Sequence, residues 1–144
     1  MSRLTLKQAN TIIEQALVKA KEMKIKPLTV VVLDDSGNIV AVQREDNASM
    51  ARFDIALGKA WGAVAMSCSS RALGKRAKEN PNFFLSLAST AKGRFLPQPG
   101  AALIRDAAGN VLGAAGASGG TGDEDEAVCA FGIEKAGLKA DVAA

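Results

Sequence analysis

The chain has 144 residues, 48% of them apolar, a net charge of +3 from 18 basic and 15 acidic side chains, and neither histidine nor tyrosine. This length fits one globular domain, residues 1–144, burying roughly 70% of the surface that the unfolded chain exposes. The mild charge and sparse aromatics argue against a nucleic-acid partner, and two distant cysteines, Cys68 and Cys129, against a disulfide framework or a zinc site.

Both thiols are expected to be buried in a reducing compartment. The N-terminus, Met1-Ser-Arg-Leu-Thr-Leu-Lys-Gln8, meets polar residues before an apolar stretch develops, so no signal peptide or spanning helix is predicted there. A cytoplasmic protein with no membrane partner is expected. Thr5 followed by Gln8 forms a capping box, and Leu6, Ala9, Ile13, Ala16, Leu17, Ala20 and Met23 recur at helical spacing. The helix stops near Pro27. Residues 28–33 are a β-branched run that turns at Asp34-Asp-Ser-Gly-Asn38 into residues 39–43, a hairpin. A second helix over 53–66 holds one lysine, Lys59, among small apolar residues, a composition that predicts burial. Ser69 or Ser70 caps a short basic helix to about Lys78, Asn80-Pro81 breaks it, and residues 82–91 form a further turn or two. After Pro97 and Pro99, residues 102–105 and 111–117 flank Asp106-Ala-Ala-Gly-Asn110 as a second hairpin, and residues 123–139 form the last helix. The order helix, hairpin, helices, hairpin, helix predicts an α+β fold, an antiparallel sheet with helices packed on it.

Charge is unevenly placed. Arg71, Lys75, Arg76, Lys78, Lys92 and Arg94 face Glu79 alone, whereas Asp123, Glu124, Asp125 and Glu126 are consecutive. Those carboxylates are expected to cap the last helix through its dipole, each contributing roughly 0.3–1 kcal/mol, with an ion pair to a neighbouring subunit as the second role. Their sign opposes a phosphate at that helix start. Gly116-Ala-Ser118-Gly-Gly120 has the spacing of a nucleophile elbow, but the chain has no histidine to serve as its base. No catalytic residue and no metal ligand is assigned.

The segments Phe53-Asp-Ile-Ala-Leu-Gly-Lys-Ala-Trp-Gly-Ala63, Gly113-Ala-Ala-Gly-Ala-Ser-Gly-Gly-Thr-Gly-Asp-Glu-Asp-Glu-Ala-Val128 and Val31-Val-Leu-Asp-Asp-Ser-Gly-Asn38 resemble the GlcG/HbpS-like family from end to end. The resemblance implies a profilin-like α+β fold and assembly as a dimer or larger ring. The family includes haem-binding proteins and the C-terminal domain of PduO-type cobalamin adenosyltransferases, so a small-molecule-binding accessory or sensor role, for haem or a related tetrapyrrole, is what it implies for function. The chain departs from the family's Gly-Gly-aliphatic-Pro entry to the penultimate strand, reading Gln98-Pro99-Gly100-Ala101. Of the side chains that usually hold haem iron, it offers only Cys68, Cys129 and four methionines. The cofactor is therefore left unknown.

The candidate ligand-binding set is Arg52, Lys59, Arg94, Gly100, Ser118, Gly119, Gly120 and Thr121. Lys59 reads as an anion clamp, or as an amine whose burial disfavours its charge, or as a lysine paired with Asp54 or another carboxylate. The second of these leaves open an enzyme acting on a small carbonyl or carboxylate metabolite. Arg52 and Arg94 flank an acidic ligand or lie on solvated surface. Met50 and Met66 are expected in the core or an interface. Phe83, Phe84 and Phe95 line an apolar pocket or a subunit interface, the latter suiting a purely structural assembly factor.

Overall fold

The computed structural model describes residues 3–144; Met1 and Ser2, which open the N-terminal stretch considered above, lie outside the described residues. Helix α1, Leu6–Glu22, begins at the Thr5–Gln8 capping box, whose two hydrogen bonds are each 3.0 Å. Its buried stripe is Ala9, Ile12, Ile13, Ala16 and Ala20, while Leu6 and Met23, expected in the stripe, are exposed at its two ends. Lys24, at φ 57°, then reverses the chain, with Ile25 N–H donating to Ala20 O and Lys24 N–H to Lys21 O, a Schellman ending.

Strands β1, Thr29–Asp34, and β2, Ile39–Arg44, form the first hairpin. Helix α2, Ala51–Met66, starts two residues before the expected Phe53. Helix α3, Ser70–Glu79, is capped by Ser69, and α4, Pro81–Thr90, begins on the proline that stops α3, because Pro at the first helical position sacrifices no hydrogen bond. Strands β3, Ala101–Arg105, and β4, Val111–Ser118, make the second hairpin, and α5, Gly122–Lys135, follows.

The last element departs from expectation. Instead of running to Lys139, α5 stops at Lys135, because Gly137, at φ 81°, allows a second Schellman turn in which Leu138 N–H reaches Ile133 O and Gly137 N–H reaches Glu134 O. The released residues form a short strand β5, Lys139–Asp141, paired antiparallel with β3.

The sheet order is β2-β1-β4-β3-β5, antiparallel throughout, with helices on both faces. Alternation splits the core. Val30, Val32, Ala102, Ile104, Ala115 and Ala117 face α1 and α5, whereas Val31, Leu33, Ala101, Leu103 and Ala114 face α2. Covering on both faces explains why β1 and β4 read as continuous apolar runs. A third cluster joins α2, α3 and α4 through Leu73, Phe84, Ala91 and Phe95, with Phe84 and Phe95 stacked at 5.8 Å. Phe83 is 49% exposed and Met50 85% exposed, so neither is a core residue, and Cys68 is only half-buried.

Candidate functional site

The end of the sheet where β4 stops and β1 and β3 begin gathers most of the candidate residues. Helix α2 approaches β4 closely because both surfaces are small: a Cβ on Gly116 would lie 2.5 Å from Ala56 O. Lys59, in the middle of α2, consequently runs flat beneath the strand ends. Its tip passes so near Gly100, at φ 132°, that a Cβ there would meet Nζ at 2.5 Å. This glycine is thus required by close approach as well as by backbone conformation.

Lys59 is 6% exposed, and its ammonium donates to Ala117 O at 3.1 Å and to Asp125 Oδ2 at 3.2 Å. Asp125, 1% exposed, accepts Gly120 N–H on its other oxygen at 3.0 Å. The partner is therefore Asp125, 66 positions away, and not Asp54. One buried ion pair joins the helix layer below the sheet, the end of β4, the glycine turn and the first turn of α5. An ammonium with both acceptors in place is a structural donor, and its geometry is not that of a free nucleophilic amine.

The other acids at the start of α5 have separate tasks. Glu124 completes a capping box with Thr121, the two hydrogen bonds measuring 2.9 and 3.1 Å. Glu126 takes the Arg71 Nε–H at 2.9 Å and a second guanidinium hydrogen at 3.3 Å, and Asp123 takes a third. These hydrogen bonds, those donated to Glu126 first and that to Asp123 next, push the Arg71 guanidinium pKa still further up. The cluster thus caps its helix through Glu124, the main role expected of it, while its other members form ion pairs within this chain, in place of the neighbouring subunit named as the second role.

Beside the Lys59 strut lies an open cleft of about 440 Å³, bordered by Ile55, Lys59, Leu96, Pro99, Thr121 and Gly122, among others. Of the eight candidate residues, Lys59 and Thr121 line it directly. Gly119 and Gly120 border a separate hollow on the other side of the turn, with Lys24, Lys26 and Glu124. Gly100 supports Lys59 from behind. Arg52 donates to Ser118 Oγ at 3.1 Å on the α2 face of the sheet. Ser118 is 1% exposed there and in register with Thr29, whose buried Oγ1 has no hydrogen-bond partner. Arg94 stands apart: its guanidinium stacks over Trp61 at 4.5 Å and donates to Ala91 O at 3.0 Å.

Sequence reasoning missed Asp125, Arg71 and Lys78 as parts of this region. Arg71, Lys75 and Lys78 follow i, i+4, i+7 spacing on α3, a signal visible in the sequence, whereas the Lys59–Asp125 pairing depends on tertiary contact alone. Cys129 lies behind the site, fully buried, with its thiol pKa pushed up by burial and then by the Asp125 charge. Among the described residues no group of three His, Cys, Asp or Glu side chains is placed to hold a metal ion, and no helix is long and apolar enough to cross a membrane.

Several known proteins share this architecture. A crystal structure of a PduOC–haem complex superposes with a TM-score of 0.86 at 22% identity, covering 97% of this chain and 99% of that one. Protein ORFY of Klebsiella pneumoniae gives 0.85 at 25% identity, covering 95% and 93%. An uncharacterized 15.0 kDa protein from the dhaT–dhaS intergenic region of Citrobacter freundii is 27% identical over 125 residues, 87% of this chain and 86% of that protein. The profile of the family described as haem degrading protein HbpS-like matches residues 4–134, and the chain belongs to that family.

Proposed function

We propose that the protein binds a tetrapyrrole or a similarly flat organic anion as a non-catalytic accessory or sensor protein, at the cleft beside Lys59. The observation that carries this reading is the membership of a family described by haem chemistry, joined to a cleft of suitable size at the end of the sheet where β4 stops: about 440 Å³, within the range of small-molecule sites. We read residues 1–144 as one domain working as a homo-oligomer in the cytoplasm. The family resemblance supports the assembly, and two unpaired cysteines support the compartment.

The cleft suits the ring and acidic edge of a porphyrin, with Leu96, Ile55 and Pro99 for the one and Lys78 for the other. It does not suit the iron. No imidazole, phenol, thiol or thioether lines it, Cys129 is sealed in the core, and the Thr121 hydroxyl is held by the helix cap. Binding through the organic part is therefore the version of haem recognition that these residues support.

Titration with haemin and with cobalamins, followed by absorbance, tests the reading. A shifted Soret band or retained corrinoid at micromolar protein is the expected result, and an unchanged spectrum with no retained ligand refutes it. Because the family description names haem degradation, the Soret band is also followed after ascorbate or peroxide is added. A catalytic protein would bleach it faster than a protein-free control, and the accessory role predicts equal rates.

A further inference from the structure

A second cleft, a groove of about 470 Å³ along α3, shares Lys78, Gln98 and Pro99 with the cleft beside Lys59. Gly74 seats that helix on the loop, since a Cβ there would lie 3.2 Å from Pro99 Cδ, and Ala77 and Pro99 give the floor an apolar surface.

Three cations border the groove on one face of α3: Arg71, Lys75 and Lys78. The first is neutralised by Glu126 and Asp123. Lys75 and Lys78 are exposed, and neither makes an ion pair among the described residues. An apolar floor beside two uncommitted ammonium groups on adjacent turns is complementary to a flat apolar body carrying carboxylates. No imidazole, phenol, thiol or thioether borders the groove to hold a haem iron.

We infer that this groove recognises its ligand as an organic anion, with Lys75 and Lys78 binding the carboxylates and the floor binding the ring, independently of any coordinated metal. The inference deepens the reading of the Lys59 cleft as a tetrapyrrole site and rests on it for the choice of probe.

The experiment compares four probes on the full chain: haemin, metal-free protoporphyrin IX, protoporphyrin IX dimethyl ester, and 8-anilinonaphthalene-1-sulfonate. Metal-free protoporphyrin should bind within about threefold of haemin, and the ester roughly tenfold or more weaker, as expected for losing a charge-assisted contact. The K75E/K78E variant should weaken both acids by a similar factor. K7E, a charge reversal on exposed α1 surface, should leave them unchanged, as should K7E/K21E, which changes net charge as much as K75E/K78E does and so separates the groove from net charge. Haemin binding without protoporphyrin binding, or K75E/K78E affinity equal to wild type, overturns the inference while leaving the tetrapyrrole reading intact. If no tetrapyrrole binds, that reading fails and the sulfonate probe decides for the groove. Fluorescence enhancement lost in K75E/K78E but kept in K7E/K21E supports it, and enhancement unaffected by K75E/K78E, or absent from wild type, overturns it.

Discussion

Replacing Lys59 with methionine tests whether the buried pair is the strut that ties the layers together. The substitution keeps most of the volume and removes the charge, leaving Asp125 1% exposed with Gly120 N–H as its remaining partner. At 3.2 Å the attraction lost is about 5 kcal/mol at an effective dielectric near 20. Removal of one partner from a buried pair typically costs about 3–5 kcal/mol. Asp125→Asn strands the ammonium instead and should cost a similar amount. The double variant K59M/D125N leaves no buried charge and retains an amide oxygen for Gly120, so it should lose only about 1–2 kcal/mol. Urea unfolding of the four proteins, fitted with a shared m-value, gives the cycle. The reasoning is refuted if K59M costs less than about 1 kcal/mol, or if the two single losses simply add.

Other consequences are smaller in scope. Gly132→Ala should destabilise by about 2–3 kcal/mol, because its Cβ would press on Ile12 O where α1 crosses α5, whereas Gly137→Ala, with open space but φ 81°, should cost about 1–2 kcal/mol; urea midpoints measure both. Cys129 should resist Ellman's reagent in the native protein while half-buried Cys68 reacts, so unfolding in urea should raise the count from one thiol to two. Because burial raises the Cys129 pKa, the unfolded thiol ionises first, and stability should fall by about 1.4 kcal/mol per pH unit above roughly pH 8.5, a slope that Cys129→Ala removes in alkaline urea melts. Arg94→Ala should cost about 0.5–1 kcal/mol and shift the emission of Trp61, the single tryptophan, by removing the cation stacked on its ring.

Much of the fold was legible because local chemistry and tertiary demand agree. Thr5 and Gln8, the Asp34-to-Asn38 turn, Ser69, Pro81 and the Asp106-to-Asn110 turn each act within a few residues of themselves, and each element appears where those residues place it. What escaped was set at long range. Strand β5 has only three residues and exists because β3 offers a free edge, so no periodicity could announce it. The α1 stripe is rotated toward Ile12 because Gly132 lets α5 press against that position. In the site, the importance of Lys59 followed from a lone charge in an apolar helix, but its partner lay beyond the reach of spacing arguments.

The acid run illustrates how a composition signal can be correct in sign and mistaken in use. Four adjacent carboxylates at a helix start suggested one collective role, interaction with the dipole. A helical turn, however, points successive side chains in different directions. Glu124 turns back to the cap, Asp125 points inward to Lys59, and Asp123 and Glu126 reach across to Arg71. Each charge is consumed within the chain, and so are Lys59 and Arg71, which pair with it. An anionic ligand approaching this end of the sheet therefore meets neither a free helix terminus nor a free Lys59. Cations without an ion pair among the described residues remain on both sides of it, Lys24 and Lys26 beside the glycine turn and Lys75 and Lys78 along α3, and it is the α3 pair that adjoins the apolar surface of Ala77 and Pro99, the ground on which the groove is proposed as the anion site.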